Sequence, residues 1–140
     1  MDPDKCRRNT IAFCGEFTFQ ETGEATPKFF ILLDDIDEET DKTIIVTFTG
    51  NLKYRDKPFN LFVPPNSFDN CEREPFPRKN SLIDCNTCRE VSGRFLRSGM
   101  CKFIGRIEDG WMKKIYQTIG YATKVEPRLI IKLKNRVNLI

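Results

Sequence analysis

Pro27-Lys28-Phe29-Phe30-Ile31-Leu32-Leu33, followed after an acidic turn by Thr43-Ile44-Ile45-Val46-Thr47-Phe48-Thr49, decides how this chain is read. The first run is short and continuously apolar beyond its lysine, the pattern of a strand buried on both faces. The second is rich in β-branched residues and reads as another strand. A cation therefore stands at the mouth of one buried strand and a threonine near the end of the next. Charge and hydroxyl brought together in this way suit a phosphate.

Working outward, Thr10–Cys14 and Glu16–Phe19 read as two short β pieces broken by Gly15. The loop from Gln20 to Pro27 is expected to wall a groove. Asp34 to Asp41 is an acidic turn without the spacing or turn glycine of a calcium loop, so it reads as solvated. Asn60–Val63 is a further strand ended by Pro64-Pro65, and residues 64–79, with four prolines, form a long irregular loop. Ser81 to Val91 reads as a strand turned by Ser92-Gly93. Glu108-Asp109 ahead of Trp111, Met112, Ile115 and Ile119 predicts a helix ended by Gly120. After Pro127, the alternation from Arg128 to Lys134 predicts an edge strand. Residues 1–10 read as a flexible arm. The expected fold is mainly β with one helix (α+β): a small, strongly bent antiparallel β barrel, with a C-terminal helix and a terminal strand or tail.

A chain of 140 residues with 39% hydrophobic and 31% charged residues fits one globular domain, residues 1–140. No stretch approaches a bilayer span and the start lacks a secretory pattern, so a cytoplasmic protein without membrane contact is expected. In that compartment Cys6, Cys14, Cys71, Cys85, Cys88 and Cys101 are expected as reduced thiols. Cys85-Asn86-Thr87-Cys88 has the gap of a zinc knuckle or redox pair, but no second pair and no histidine accompany it. A plain thiol pair is the favoured reading, bound zinc the alternative, and no cofactor or metal is assigned. Net charge is +3, yet residues 1–70 carry 8 Lys+Arg against 13 Asp+Glu, and residues 71–140 carry 15 against 7. A basic half can attract a polyanion, or the halves can neutralise each other across the fold.

With no histidine, Ser-His-Asp and Cys-His catalysis and histidine acid–base pairs are excluded. RNA cleavage stays open because the substrate's 2′-hydroxyl is the nucleophile; the protein must align it, take its proton and stabilise phosphoryl charge. Lys53, Tyr54, Arg55 and Lys57 interleave cations with an aromatic ring, and Arg78 and Lys79 precede the later strand, as single-stranded RNA binding needs. The plainer readings are a solvated hairpin for Lys53–Lys57, a snorkelling strand-end charge for Lys28, a β-former for Thr49 and a loop carboxylate for Glu24.

The order of several motifs resembles the MazF/PemK (Kid-like) family of toxin endoribonucleases over roughly residues 10 to 120. Gly15-Glu16 opens a strand. Gly23-Glu24 leads to Lys28 and its apolar run, and Thr49-Gly50 closes the next strand. Pro58-Phe59-Asn60-Leu61 and Asn80-Ser81-Leu82-Ile83-Asp84 follow, then Phe103-Ile104-Gly105-Arg106-Ile107 before the helix. Two departures stand out: Lys28 then Phe29 where the family carries arginine then proline, and Gly50 in place of a second hydroxyl residue. The resemblance implies an SH3-like barrel, a homodimer, metal-independent cleavage of single-stranded RNA, and a cognate antitoxin as partner. It further implies that Lys28 stabilises the phosphate, that Thr49 hydrogen-bonds a phosphoryl oxygen, and that Glu24 is an acid–base candidate. A catalytically inactive RNA-binding protein or a gyrase-inhibiting toxin on the same scaffold are the alternatives. Residues 121–140 are an extension beyond the match.

Overall fold

The computed structural model describes residues 1–18, 25–72 and 75–139. Among them, seven strands form one antiparallel sheet: β1 (Thr10–Thr18), β2 (Ala25–Leu32), β3 (Lys42–Thr49), β4 (Asn60–Val63), β5 (Asn70–Cys71), β6 (Ser81–Ser92) and β7 (Cys101–Arg106). Their order is β4-β6-β3-β2-β1-β7-β5. The helices are α1 (Gly93–Leu96), α2 (Asp109–Thr118) and α3 (Pro127–Lys134). The protein is thus mainly β and antiparallel, with more helix than the single one expected.

The continuous apolar run is explained by two cores, one on each face of the sheet. Ile31 and Leu33 join Ile11, Val46, Ile83 and Ile104 under Met112 and Ile115 of α2. Phe30 and Leu32 join Ala12, Cys14, Phe17, Ile45 and Cys101 under Leu96 of α1. Strand alternation sends neighbouring side chains to opposite faces, so burial of both faces demands apolar residues at every position. α2 is fastened to the first core by Tyr116, whose hydroxyl donates to the Leu33 carbonyl at 2.6 Å. α1 is capped by Ser92 Oγ, which accepts from the Phe95 N–H at 3.1 Å.

Two irregularities shape the sheet. β1 does not break at Gly15. It runs on with a bulge, because Cys14 pairs with Lys28 and Phe17 with Thr26, leaving Gly15 and Glu16 opposite Pro27. Proline has no N–H to give the ladder, and a bulge accommodates it. In β6, Asp84 pairs with Thr47 and Arg89 with Ile45, so Val46 of β3 faces Cys85, Asn86, Thr87 and Cys88 together. At the far edge, a Cβ on Gly105 would collide with the backbone of Asn70 and Cys71, so glycine is what lets β5 lie against β7.

The expected terminal strand is a helix. Leu129 and Leu133, four apart, are buried while Ile131 is 64% exposed, so the apolar positions serve a 3.6-residue period as well as a period of two. Pro127 at the first turn and Lys132 and Lys134 in the last turn suit a helix. Residues 1–10 also differ from a loose arm: the Met1 amino group donates to the Ser98 carbonyl at 2.9 Å, Thr10 Oγ1 donates to the Lys5 carbonyl at 2.6 Å, and Cys6 is buried.

The carboxylates of the acidic turn have partners both within the turn and far along the chain. Asp37 Oδ1 accepts the N–H groups of Glu39 and Thr40, Asp41 pairs with Arg97 at 3.0 Å, and Asp34 pairs with Arg136 at 2.9 Å. Cys6, Cys14, Cys85, Cys88 and Cys101 are buried free thiols. Among the described residues no helix is long and apolar enough to cross a membrane.

Candidate functional site

β2 and β3 pair only at Phe30–Thr47, Ile31–Val46 and Leu32–Ile45. Beyond Phe30, β2 stays with β1 through Lys28, and β3 stays with β6 through Phe48–Ile83 and Thr49–Leu82. The two strands part, and a cleft of about 450 Å³ opens at this end of the sheet. Lys28, Phe29, Phe48, Thr49 and Gly50 contribute from the strands, and Pro75 to Lys79 close it from the loop before β6.

The apolar side of the cleft is aromatic. Phe76 lies with its ring centroid 5.0 Å from Phe29 and 5.6 Å from Phe48, both at steep angles. Phe68 and Trp111 continue the cluster toward α2, with centroids 5.4 Å apart. Edge-to-face rings of this kind are rigid and well packed. The polar side carries Lys28, Arg78 and Lys79 with Thr49 and Ser81. Thr49 Oγ1 accepts the Asn51 N–H at 3.1 Å, which fixes the hydroxyl while its hydrogen remains able to donate.

The charge state of the site is set by burial. Desolvation lowers the Lys28 pKa from its ordinary value, and the charge of Asp84 opposes that shift. Desolvation raises the Asp84 pKa, opposed first by the Asn86 N–H on its carboxylate and then by Lys124 and Lys28. Both shifts favour the neutral forms, as partial burial of a cation and an anion dictates.

The structure thus brings Lys28, Thr49, Arg78 and Lys79 to one cleft. It places Lys53, Tyr54, Arg55 and Lys57 elsewhere, in an exposed turn outside the cleft lining. Within that turn Lys53 Nζ sits 5.4 Å from the Tyr54 ring centroid and the Arg55 guanidinium 4.9 Å from that of Phe62. Glu24 lies outside the described residues. Cys85 and Cys88 are buried in the β6 irregularity, where burial first, then the Asp84 charge, pushes the Cys85 thiol up to about 12. Among the described residues, no cluster of three or more metal-ligating side chains is found. Phe48, Phe76 and Ser81 line the cleft without having been read as site residues.

No protein-family model matches the chain, and no curated protein matches it.

Proposed function

We propose that the cleft binds single-stranded RNA and cuts it as a toxin-type, metal-independent endoribonuclease, on a barrel of the SH3-like, MazF/PemK kind. The observation that carries this reading is the joint lining of one cleft by Lys28, Thr49, Arg78 and Lys79 beside the rings of Phe29, Phe48 and Phe76. Phosphates need the first set, and the partly exposed Phe29, backed by the buried rings of Phe48 and Phe76, offers an aromatic face to an unstacked base.

In this reaction the 2′-hydroxyl attacks the adjacent phosphorus and gives up its proton. The bond from phosphorus to the 5′-oxygen breaks, and that oxygen takes up a proton. The products are a cyclic phosphate and a 5′-hydroxyl. Lys28 stabilises the charge that develops on the phosphoryl oxygens, and the Thr49 hydroxyl donates to one of them. Arg78 and Lys79 hold flanking phosphates. Glu24 is the acid–base candidate that the family resemblance supplies. The same resemblance gives a homodimer and a cognate antitoxin as partner, and the sequence pattern places it in the cytoplasm.

A second reading, RNA binding without cleavage, is favoured by Gly50 beside Thr49 and by a lysine where a two-pronged guanidinium would grip the phosphate better. Incubation of the purified protein with a long unstructured RNA, without divalent metal, separates the two. Discrete cuts that vanish in Thr49→Ala and Lys28→Ala support cleavage. Intact RNA bound by all three proteins supports binding only.

A further inference from the structure

Asp84 is a half-buried carboxylate for which the cleavage chemistry above has no use, and its placement ties it to the cleft. In an antiparallel ladder, paired residues point to the same face. Phe30 pairs with Thr47, Thr47 with Asp84, and Asp84 with Asn60. Lys28 lies two residues from Phe30 along β2, and Thr49 two residues from Thr47 along β3, so both share that face. One side of four adjacent strands therefore carries, in order, Lys28, the pair Thr47 and Thr49, Asp84, and Asn60.

Asp84 is held in place from two sides. Its Oδ1 accepts the Asn86 N–H at 3.0 Å, and its main-chain carbonyl accepts from Thr87 Oγ1 at 2.6 Å. Thr87 Oγ1 in turn accepts from the N–H of Thr47 at 2.9 Å, so the β6 irregularity is locked to β3. A carboxylate fixed by backbone contacts acts on a long, adjustable lysine rather than the reverse.

We propose that Asp84 is a positioning residue for Lys28: from the same sheet face its carboxylate draws the ammonium across β3 toward Thr49, at the phosphate end of the cleft. This rests on the proposed RNA site only for its biological use. The electrostatic relation stands by itself. Among the described residues, Lys124, in the segment after α2, also acts on Asp84, and Arg78 and Lys79 share the cleft with Lys28. From β1, Cys14 pairs with Lys28, and from β6, Cys85 adjoins Asp84. Partial burial disfavours a charged Lys28, and the Asp84 charge opposes it.

The test follows the Lys28 side chain by NMR through a pH titration in the intact protein, in the parent and in Asp84→Asn and Asp84→Glu. Asparagine keeps an oxygen for the Asn86 N–H, so the local turn survives while the charge goes. The expected result is a lower Lys28 midpoint in Asp84→Asn, restored toward the parent value in Asp84→Glu. In parallel, the basic limb of the RNA affinity profile should move to lower pH in Asp84→Asn. An unchanged Lys28 midpoint in Asp84→Asn overturns the proposal whatever the RNA does. A lowered midpoint supports it even where no RNA binds, and that combination would reject the RNA reading alone.

Discussion

Thr87 Oγ1 lies 2.9 Å from both the main-chain nitrogen and the Oγ1 of Thr47, forty residues earlier in the chain. This one hydroxyl fills the gap left where four residues of β6 face one of β3. It receives both Thr47 donors and gives its own hydrogen to the Asp84 carbonyl. The end of β3 that carries Thr49 and the stretch of β6 that carries Asp84 are therefore held in fixed register beside the cleft.

Replacing Thr87 by valine keeps its shape and removes that hydroxyl. The Thr47 N–H, at a residue 1% exposed, then loses its partner. Leaving such a group unsatisfied costs about 1–3 kcal/mol. Urea titrations of Thr87→Val should show a lower midpoint with an unchanged slope, and Thr87→Ser should recover most of the difference. A Thr87→Val midpoint equal to the parent would mean that the hydroxyl is dispensable to the register.

Asn86 fastens the segment between α2 and α3. Its Oδ1 accepts the N–H groups of Thr123 and Lys124 at 2.7 and 3.2 Å. Asn86→Ala should lower stability by about 1 kcal/mol and expose those two amides to hydrogen exchange, while Asn86→Asp keeps the acceptor and the protection. Protection that persists in Asn86→Ala would argue against this anchor.

Asp41 makes acid stability dependent on one pair. A hydrogen bond from the Arg97 guanidinium, followed by the Arg94 N–H, holds the Asp41 carboxyl below the usual carboxylate range. A group whose folded pKa lies below its unfolded value contributes stability above the unfolded value and loses it as pH falls through the folded one. The melting temperature of the parent should therefore exceed that of Asp41→Asn at neutral pH. The two should converge as pH falls through the lowered folded value, once the carboxyl is protonated in both states. A gap that stays constant down to that pH would remove the electrostatic explanation.

Thiol reactivity should follow burial. Cys6, Cys14, Cys85, Cys88 and Cys101 are buried, and Cys71 is only partly so. Burial pushes the Cys85 and Cys101 thiols up to about 12, and the thiolate is the reactive form. Brief alkylation of the native protein near neutral pH, read by peptide mass spectrometry, should label Cys71 first. Early labelling of Cys85 or Cys88 would contradict their place in the sheet.

The strands were legible where composition and local pairing agree. Phe29 to Leu33 had to be buried on both faces, and it divides between two cores. The helix at 109–118 announced itself by an acidic start and an apolar stripe. The segment 128–134 misled because Leu129, Ile131 and Leu133 satisfy a period of two, while only the burial of Leu129 and Leu133 separates strand from helix. Thr49 was readable as a strand-end residue, whereas Lys28, read at a strand mouth, lies inside β2, which begins at Ala25; their meeting with Arg78 and Lys79 depends on the parting of β2 from β3. Nothing local in Phe76 or Ser81 marks them as cleft residues. Thr87 and Asp84 take their roles from a register shift that no local pattern encodes.

The most direct test of the cleft is an NMR titration of the labelled protein with a short single-stranded oligonucleotide that is 2′-O-methylated throughout, so that binding is seen without cleavage. Perturbations centred on Lys28, Thr49, Phe76, Arg78 and Lys79 are predicted. In the Arg78→Gln/Lys79→Gln variant, the salt dependence should weaken by about 0.7 in the log–log slope for each phosphate that is no longer neutralised. Perturbations confined to other surfaces, or none at millimolar oligonucleotide, would contradict the account.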